Sequence, residues 1–512
     1  MSINISRRWF IGGLTSFGAF GGCRMFRAPA GRFADGTPSL TFGVVSDVHV
    51  RLGATGQALD AGGDTATLVH TLEWFRDQKV DAVMIAGDIA DTGLVKELEA
   101  VAAAWFKVFP NDTAPDGRHV ERLFVYGNHD WEGFQYGFGR IGRQLWPDKD
   151  EYARNILRTD LKGNWERIFH EPFAPVYRKE VRGYSFVGGQ WTADHCRGAE
   201  ERGVVGVEEF FAANAKTFDP SKPFFYFQHP HPKNTCYGAW AWGHDAGGAT
   251  KALSPFPNAI AFSGHSHYSL TDERSIWQGA FTSLGTSSLR YTGLAFDSRP
   301  PAGYENSGAP HAGRATFDPY KVMPAHYGAG NGRQGMLVRV YADCVTFTRR
   351  EFVGDRLLGD DWVLPLPSAE AKPFDFAARA AKAPAPQFPA AAALSIKKTR
   401  GKNRGMKTGK TPVPSVEKDI YALTFPAANA VPGARPFEYE VAIEPKDGKR
   451  TVRHVLALGF NMPLSDKQAQ GDSVFRIAAD QLPEGAFRFA VRPLNSLGRA
   501  GEPLVSDWIS KG

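Results

Sequence analysis

Five short polar clusters occur in order along the chain: Asp47-Val48-His49, Gly87-Asp88-Ile89-Ala90-Asp91, Gly127-Asn128-His129-Asp130, His229, and Gly264-His265-Ser266-His267. Taken singly, each reads as a turn or a satisfied polar residue. Together they supply carboxylate, amide and imidazole ligands without a thiolate, a donor set that suits Mn, Fe, Zn or similar first-row divalent or trivalent ions. Two such ions about 3.5–4 Å apart clamp the attacking and leaving oxygens of an in-line phosphoryl displacement. A bridging carboxylate would hold that spacing, and a hydroxide bridging the ions would form near neutral pH because their charge lowers the pKa of water.

The elements that must position these clusters are short apolar runs. Residues 40–46 end at Asp47, 80–86 at Gly87-Asp88, 123–126 at Gly127, 224–227 before His229, and 259–262 before Gly264. Residues 65–79 place Leu68, Leu72 and Phe75 at helical spacing, and residues 91–109 read as a second helix. Strand-like runs alternating with helical patterns predict a layered α/β domain, whose sites form just past strand ends. Residues 131–223 read as irregular insertions around the core, and 337–352 as paired strands. Residues 365–410, rich in Pro and Ala and then in Lys and Gly, read as a solvated linker. Beyond 411, alternating segments at 437–443, 474–478 and 486–491 predict a β-sandwich.

The ordered set of clusters resembles the calcineurin-like metallophosphoesterase superfamily over about residues 40–350, with DxH, GDxxD, GNHD, a lone His and GHxH all present. The resemblance implies a four-layer αββα fold and a domain over residues 39–355. It implies that Asp47, His49 and His267 bind one metal ion and that Asn128, His229 and His265 bind a second. Asp88 would bridge the two, and His231 is the alternative to His229. His129 would bind the scissile phosphate and stabilise or protonate the leaving oxygen, with Asp130 holding its imidazole. Asp91 would hydrogen-bond to a ligand, and Gly87, Gly127 and Gly264 would let the backbone approach the ions. Purple acid phosphatases carry Tyr in place of Asp91 and lack the first His, which disfavours that branch.

Trp131, Trp240, Trp242 and Arg290 are candidate substrate contacts, with His244 and Tyr291 nearby. The function expected is metal-dependent hydrolysis of a phosphomonoester or phosphodiester. The alternative is an exported binding or scaffold protein that uses its C-terminal sandwich, with a catalytically silent metal domain.

The net charge is +6 over 512 residues, but it is unevenly spread. The first 34 residues hold five Arg and no acid, and residues 395–410 hold seven Lys or Arg and no acid, so the remainder is acidic by six. That distribution gives no nucleic-acid-binding footprint. Cys23, Cys196, Cys236 and Cys344 form no CxxC pair, which argues against cysteine-based zinc or redox chemistry and leaves a Cys196–Cys236 bridge open.

Ser6-Arg7-Arg8-Trp9-Phe10-Ile11, followed by a soft apolar stretch to Gly22, resembles a bacterial twin-arginine export signal over residues 1–34 and implies a periplasmic or cell-envelope location. Phe20-Gly21-Gly22-Cys23 resembles a lipobox, with Phe where Leu is usual, which would place a lipid anchor on Cys23; otherwise cleavage would fall within 28–34. The pattern Phe487 to Gly498, with Tyr439 earlier, resembles a fibronectin type III (immunoglobulin-like) domain over 411–512. Such a module implies contact with a polysaccharide or cell surface.

Overall fold

The computed structural model describes residues 36–53, 56, 64–135, 140–193, 203–237, 245–292, 332–402, 407–408, 411–412, 417–429, 435–457 and 471–511. Residues 1–34, expected to be an export signal, and Cys23, Cys196, Trp240, Trp242 and His244 lie outside them. Among the described residues no helix is long and apolar enough to cross a membrane.

Two sheets form the N-terminal half. The first is built on β1 (Leu40–Val45), which runs parallel to β2 (Ala82–Ala86), itself parallel to β3 (Glu121–Val125). The second holds β4 (Val176–Val181), β5 (Tyr184–Gly189), β6 (Phe224–Phe227), β7 (Ala259–Ser263), β8 (Ile276–Gln278) and β9 (Thr282–Gly285), in the order β4-β5-β6-β7-β9-β8. On its other edge β1 pairs antiparallel with β10 (Gln334–Val340), followed by β11 (Cys344–Glu351), with β12 (Arg356–Leu357) and β13 (Trp362–Pro365) both on β11. The first sheet therefore extends to Pro365 through β13.

Continuous apolar runs become strands here because both faces are covered. With a side-chain period of two, Ala82 and Met84 of β2 point between the sheets while Val83 and Ile85 point outward. In β6, Phe225 and Phe227 face inward and Phe224 and Tyr226 outward. Phe42 joins the sheets, its ring 5.1 Å from Phe186 and 4.8 Å from Phe225, both edge to face. The outward side chains of the first sheet pack under α1 (Asp64–Asp77), α2 (Val95–Val108) and the helix Leu161–Phe169. Those of the second pack under the helices Val207–Asn214 and Gly248–Leu253. The layering is αββα, as expected.

Three local readings are corrected. Residues 131–223 are not only insertions, since they supply β4 and β5 to the second sheet. The second helix starts at Val95, not at 91, because the Glu97 carboxylate turns back to accept from the N–H groups of Thr92 (3.0 Å) and Leu94 (3.1 Å). The expected linker is also partly ordered, with a helix at Phe376–Lys382 and a strand β14 at Ser395–Lys402. β14 pairs along its length with β17 (Glu417–Phe425), beyond a small hairpin of β15 (Lys407–Thr408) and β16 (Thr411–Pro412). Ile396 packs on the adjacent core, which gives this Lys-rich strand an anchoring face that composition alone does not show.

The C-terminal unit is rich in strands. β14, β17 and β20 (Ser473–Ala478) make one antiparallel sheet. β18 (Pro436–Pro445), β19 (Thr451–Leu456), β21 (Ala486–Asn495), β22 (Leu504–Val505) and β23 (Ile509–Ser510) make the other. Leu423, Phe425, Tyr439, Val441, Phe475, Phe487 and Phe489 share one apolar cluster between them, and Cys236, Tyr237 and Tyr268 of the N-terminal half belong to the same cluster.

Candidate metal centre

β1, β2, β3, β6 and β7 run parallel within their sheets, and the five polar clusters sit at their C-terminal ends. Backbone bonds tie the first two loops together: Asp47 N–H donates to Gly87 O and His49 N–H to Asp88 O, both at 3.0 Å. Asp47, His49, Asp88, His265 and His267 all adopt positive φ, between 47° and 68°. Non-glycine residues seldom adopt this region, and here it turns five polar side chains toward one point. Gly87 has φ 88°, and a Cβ there would lie 2.4 Å from His229 Nδ1; a Cβ on Gly127 would lie 2.2 Å from Asp88 Oδ1. Both positions need glycine.

The donor atoms converge. His267 Nε2 lies 2.9 Å from Asp47 Oδ1 and 3.2 Å from His49 Nε2. His49 Nε2 lies 3.7 Å from Asp47 Oδ1 and 3.5 Å from Asp88 Oδ2. His229 Nε2 lies 3.0 Å from Asp88 Oδ2 and 3.8 Å from Asp47 Oδ1, and His265 Nδ1 lies 3.0 Å from Asn128 Oδ1. All of these residues except the partly exposed His265 are buried. Asp47, His49, Asp88 and His267 form a group that could hold a metal ion.

Tautomers decide what this convergence means. His229 Nδ1 donates to the Ala86 carbonyl at 2.9 Å and His267 Nδ1 to the Tyr291 carbonyl at 3.0 Å, and carbonyls only accept. His49 Nδ1 faces Asp91 Oδ1 at 2.9 Å. Each neutral ring therefore aims its Nε2 lone pair at a carboxylate oxygen or at another lone pair, and that is repulsive unless a cation stands between them. His229 Nε2 is buried without a hydrogen-bond partner. Protons alone can substitute only by charging the rings. Against the burial that would lower it, the Asp88 and Asp47 carboxylates lift His229 to about 9, and Asp47 and Asp91 likewise lift His49. Burial would raise Asp47 and Asp88, but the facing histidines hold both low. The donor set fits metal ions.

The remaining expected residues divide. His231 is turned away, its Nε2 2.9 Å from Ser266 Oγ and its Nδ1 3.1 Å from Ser263 Oγ, and burial lowers it to about 3. It props the GHSH loop from behind. Asp130 does not hold the His129 ring. Its carboxylate accepts from the N–H groups of Ile89 (3.1 Å), Ala90 (2.7 Å) and Gly127 (2.7 Å), because at the third position of the short helix α3 (Asn128–Glu132) it points back at the helix start. His129 Nδ1 instead donates to the Asp91 carbonyl at 2.7 Å, with Asp91 Oδ1 3.7 Å away. Burial holds His129 below its ordinary value, although its side chain is 22% exposed.

Trp131 is partly buried and packs against the core cluster of the first sheet. Arg290 is half-buried one residue before Tyr291, whose ring lies 4.3 Å from that of His267 and is 43% exposed. Trp191 was not singled out from the sequence. It is fully buried with its ring 6.2 Å from His229 and 6.4 Å from His265, and no local pattern marks it because it contributes shape rather than ligation. Cys236 is a free, buried thiol.

The layering and the strand-end cluster define an α/β sandwich fold with a candidate metal centre. Residues 40–269 match the calcineurin-like phosphoesterase family. The matched range holds every proposed ligand. No curated protein sequence matches the chain significantly. Among solved structures, a dimetal phosphatase from Danio rerio is similar at 14% identity and TM-score 0.35, over 64% of this chain and 99% of its own. A purple acid phosphatase from yellow lupin (Lupinus luteus) seeds is similar at 12% identity and TM-score 0.36, over 65% of this chain and 56% of its own. Vps29 from Entamoeba histolytica, complexed with zinc, is similar at 9% identity and TM-score 0.25, over 64% of this chain and 99% of its own. Likenesses of this extent leave the activity to be argued from the site itself.

Proposed function

We propose that the protein hydrolyses phosphomonoesters or phosphodiesters with two metal ions held at the strand ends, and that it does so outside the cytoplasm. The observation that carries this reading is the set of imidazole Nε2 atoms on His49, His229 and His267 aimed at Asp47 and Asp88, with the Nδ1 atoms of His229 and His267 held by backbone carbonyls and that of His49 2.9 Å from the Asp91 carboxylate. Asp47, His49 and His267 would hold one ion, Asn128, His229 and His265 the other, with Asp88 between them. Bound ions supply Lewis acidity toward the phosphoryl oxygens and a nucleophile at neutral pH.

The chain's own residues do the rest. Asp91 orients His49 through its carboxylate and His129 through its carbonyl, so one residue sets both rings. With Nδ1 committed to that carbonyl, Nε2 is the atom through which His129 would contact the phosphate and pass a proton to the leaving oxygen. Arg7-Arg8 would direct export, and Cys23 would carry a lipid if the leader is processed as a lipoprotein. The strand-rich C-terminal unit, proposed as fibronectin type III-like, would supply any polysaccharide contact.

The test is a panel of p-nitrophenyl mono- and diesters with the protein loaded with Mn, Fe, Zn or Ni. Turnover that vanishes in Asp88→Ala together with bound metal, and a lower rate with metal retained in His129→Ala, supports the reading. Absence of turnover with every metal would sink it and leave the binding-protein alternative. Export predicts envelope recovery that is lost when Arg7 and Arg8 are replaced by Lys.

A further inference from the structure

We propose that Tyr291 is a specificity-determining residue whose ring is the surface on which the leaving alcohol lies, so that preferred substrates are phosphoesters of alcohols carrying a flat aromatic ring. This rests on the hydrolytic reading above and names its substrate class.

Tyr291 ends a loop that the site itself holds in place. After β9 the chain turns at Ser287, where φ is 62°, and the Ser287 carbonyl accepts from the Ser46 hydroxyl at 3.0 Å. The Ser288 hydroxyl donates to the Asp47 carbonyl at 3.1 Å and accepts from Tyr291 N–H at 3.2 Å. Leu289 is buried and its N–H donates to the Ser46 carbonyl at 3.0 Å, which pins the middle of the loop. The Tyr291 carbonyl accepts from His267 Nδ1 at 3.0 Å. Backbone and ring therefore have separate work: the backbone orients a candidate ligand, and nothing in that task needs an aromatic side chain.

The ring stands where a leaving group would lie. Its centre is 4.3 Å from that of the His267 ring and 6.4 Å from that of His49, to which it is inclined by only 28°. His129, the residue proposed to pass a proton to the leaving oxygen, also lies against His49, 4.5 Å centre to centre. Tyr291 and His129 thus border the same imidazole, and an alcohol departing beside His129 has the phenol ring within reach. His49 and His267 are buried, whereas Tyr291 is 43% exposed. The aromatic near the other half of the centre, Trp191, is fully buried close to His229 and His265 and offers no face to a substrate. The other large apolar side chains exposed among the described residues, Val353, Leu357, Val505 and Trp508, fall in or beside the short strands β12, β22 and β23. An aromatic ring already held at the rim loses little conformational freedom on binding. Flat rings pair with it, offset or edge to face, with a gain beyond the area they bury.

The experiment compares benzyl phosphate with its saturated counterpart, cyclohexylmethyl phosphate, on the metal-loaded full-length protein. Affinity is read by calorimetry with 2-phenylethylphosphonate and 2-cyclohexylethylphosphonate, in which carbon replaces the ester oxygen and blocks hydrolysis. The wild type should favour the aromatic member of each pair by about threefold or more, in kcat/KM and in affinity, although the saturated ring is the more apolar. Tyr291→Phe should keep that preference and Tyr291→Leu should bring it to parity or below. Both variants should keep the wild-type metal content, since the carbonyl that holds His267 is retained. Equal wild-type affinity for the paired phosphonates, a preference unchanged in Tyr291→Leu, or one lost in Tyr291→Phe overturns the proposal. So does loss of metal from Tyr291→Leu, which would make the ring a support for His267. Turnover of both esters without preference overturns the stacking surface and leaves hydrolysis standing. Affinity that favours the aromatic phosphonate, with turnover of neither ester, refutes hydrolysis and leaves the stacking surface standing.

Discussion

Replacing Asp130 by Ala separates a structural role for this residue from a catalytic one. In the motif it follows His129 directly and invites the role of orienting that ring. In the structure it is buried and accepts from three backbone N–H groups, those of Ile89, Ala90 and Gly127. Two belong to the loop just past Asp88 and one to the turn before Asn128, so the carboxylate clamps two ligand-bearing loops together. A buried N–H left without an acceptor costs about 1–3 kcal/mol, so three orphaned donors cost roughly 3–6 kcal/mol after some relaxation. A loss of that size is a large fraction of a domain's whole stability. Asp130→Ala should therefore lower the urea midpoint of the catalytic half sharply, read by Trp fluorescence, and should lose metal affinity with it. Asp130→Asn keeps one acceptor oxygen and should lie between. An Asp130→Ala protein with wild-type stability and metal content but a depressed kcat would refute the clamp and restore the catalytic assignment.

Other expectations follow from the same contacts. Asp91→Asn removes the carboxylate facing His49 Nδ1 but keeps the carbonyl that holds His129, so it should weaken metal binding by about 10–100-fold in a metal titration. Burial first, with the Asp91 charge and against hydrogen bonds from Thr92 and Leu94, raises the Glu97 carboxyl to about 8. A carboxyl raised in the folded state contributes stability that is full below its unfolded value near 4.5 and is lost as pH rises through about 8. Chemical denaturation across that window should show a steeper fall for the wild type than for Glu97→Gln. Phe437 packs in the C-terminal core with the Arg274 guanidinium 4.4 Å from its ring, and Arg274 is ion-paired at 2.6 Å to Asp272, five residues past His267. Phe437→Ala should cost about 3–5 kcal/mol. Because Tyr237 and Tyr268 share that core, the variant should also weaken metal retention by the GHSH loop, read by metal analysis after dialysis.

Much of this site is visible in the amino-acid order because its chemistry is local. Each ligand follows an apolar run whose two faces are both buried, so strand and polar cluster are adjacent in sequence, as with Val83 to Ile85 before Asp88. What sequence does not show depends on partners far along the chain. β4 carries Arg178, Lys179 and Glu180, because it is an edge strand with solvated side chains, and so it lacks an apolar signature. β14 reads as a charged linker because only pairing with residues 15 to 29 positions later makes it a strand. Asp91, rather than the Asp130 expected, holds the His129 ring, because the turn of a five-residue helix aims the Asp130 carboxylate at the backbone while the Asp91 carbonyl reaches the ring. Neither direction follows from residue type. The contact between Tyr268 and the C-terminal core joins residues some 170 positions apart, as Tyr268 and Tyr439 show, and no local pattern announces it.

The central claim is that the strand-end cluster holds two metal ions on which phosphoester hydrolysis depends. Metal analysis of the full-length protein, paired with turnover of a p-nitrophenyl ester before and after chelation, tests it most directly. The account predicts two ions per chain, loss of turnover on removal and recovery on reloading, with neither ion nor turnover in Asp88→Ala. Undiminished turnover by metal-free protein, or by Asp88→Ala, would contradict it.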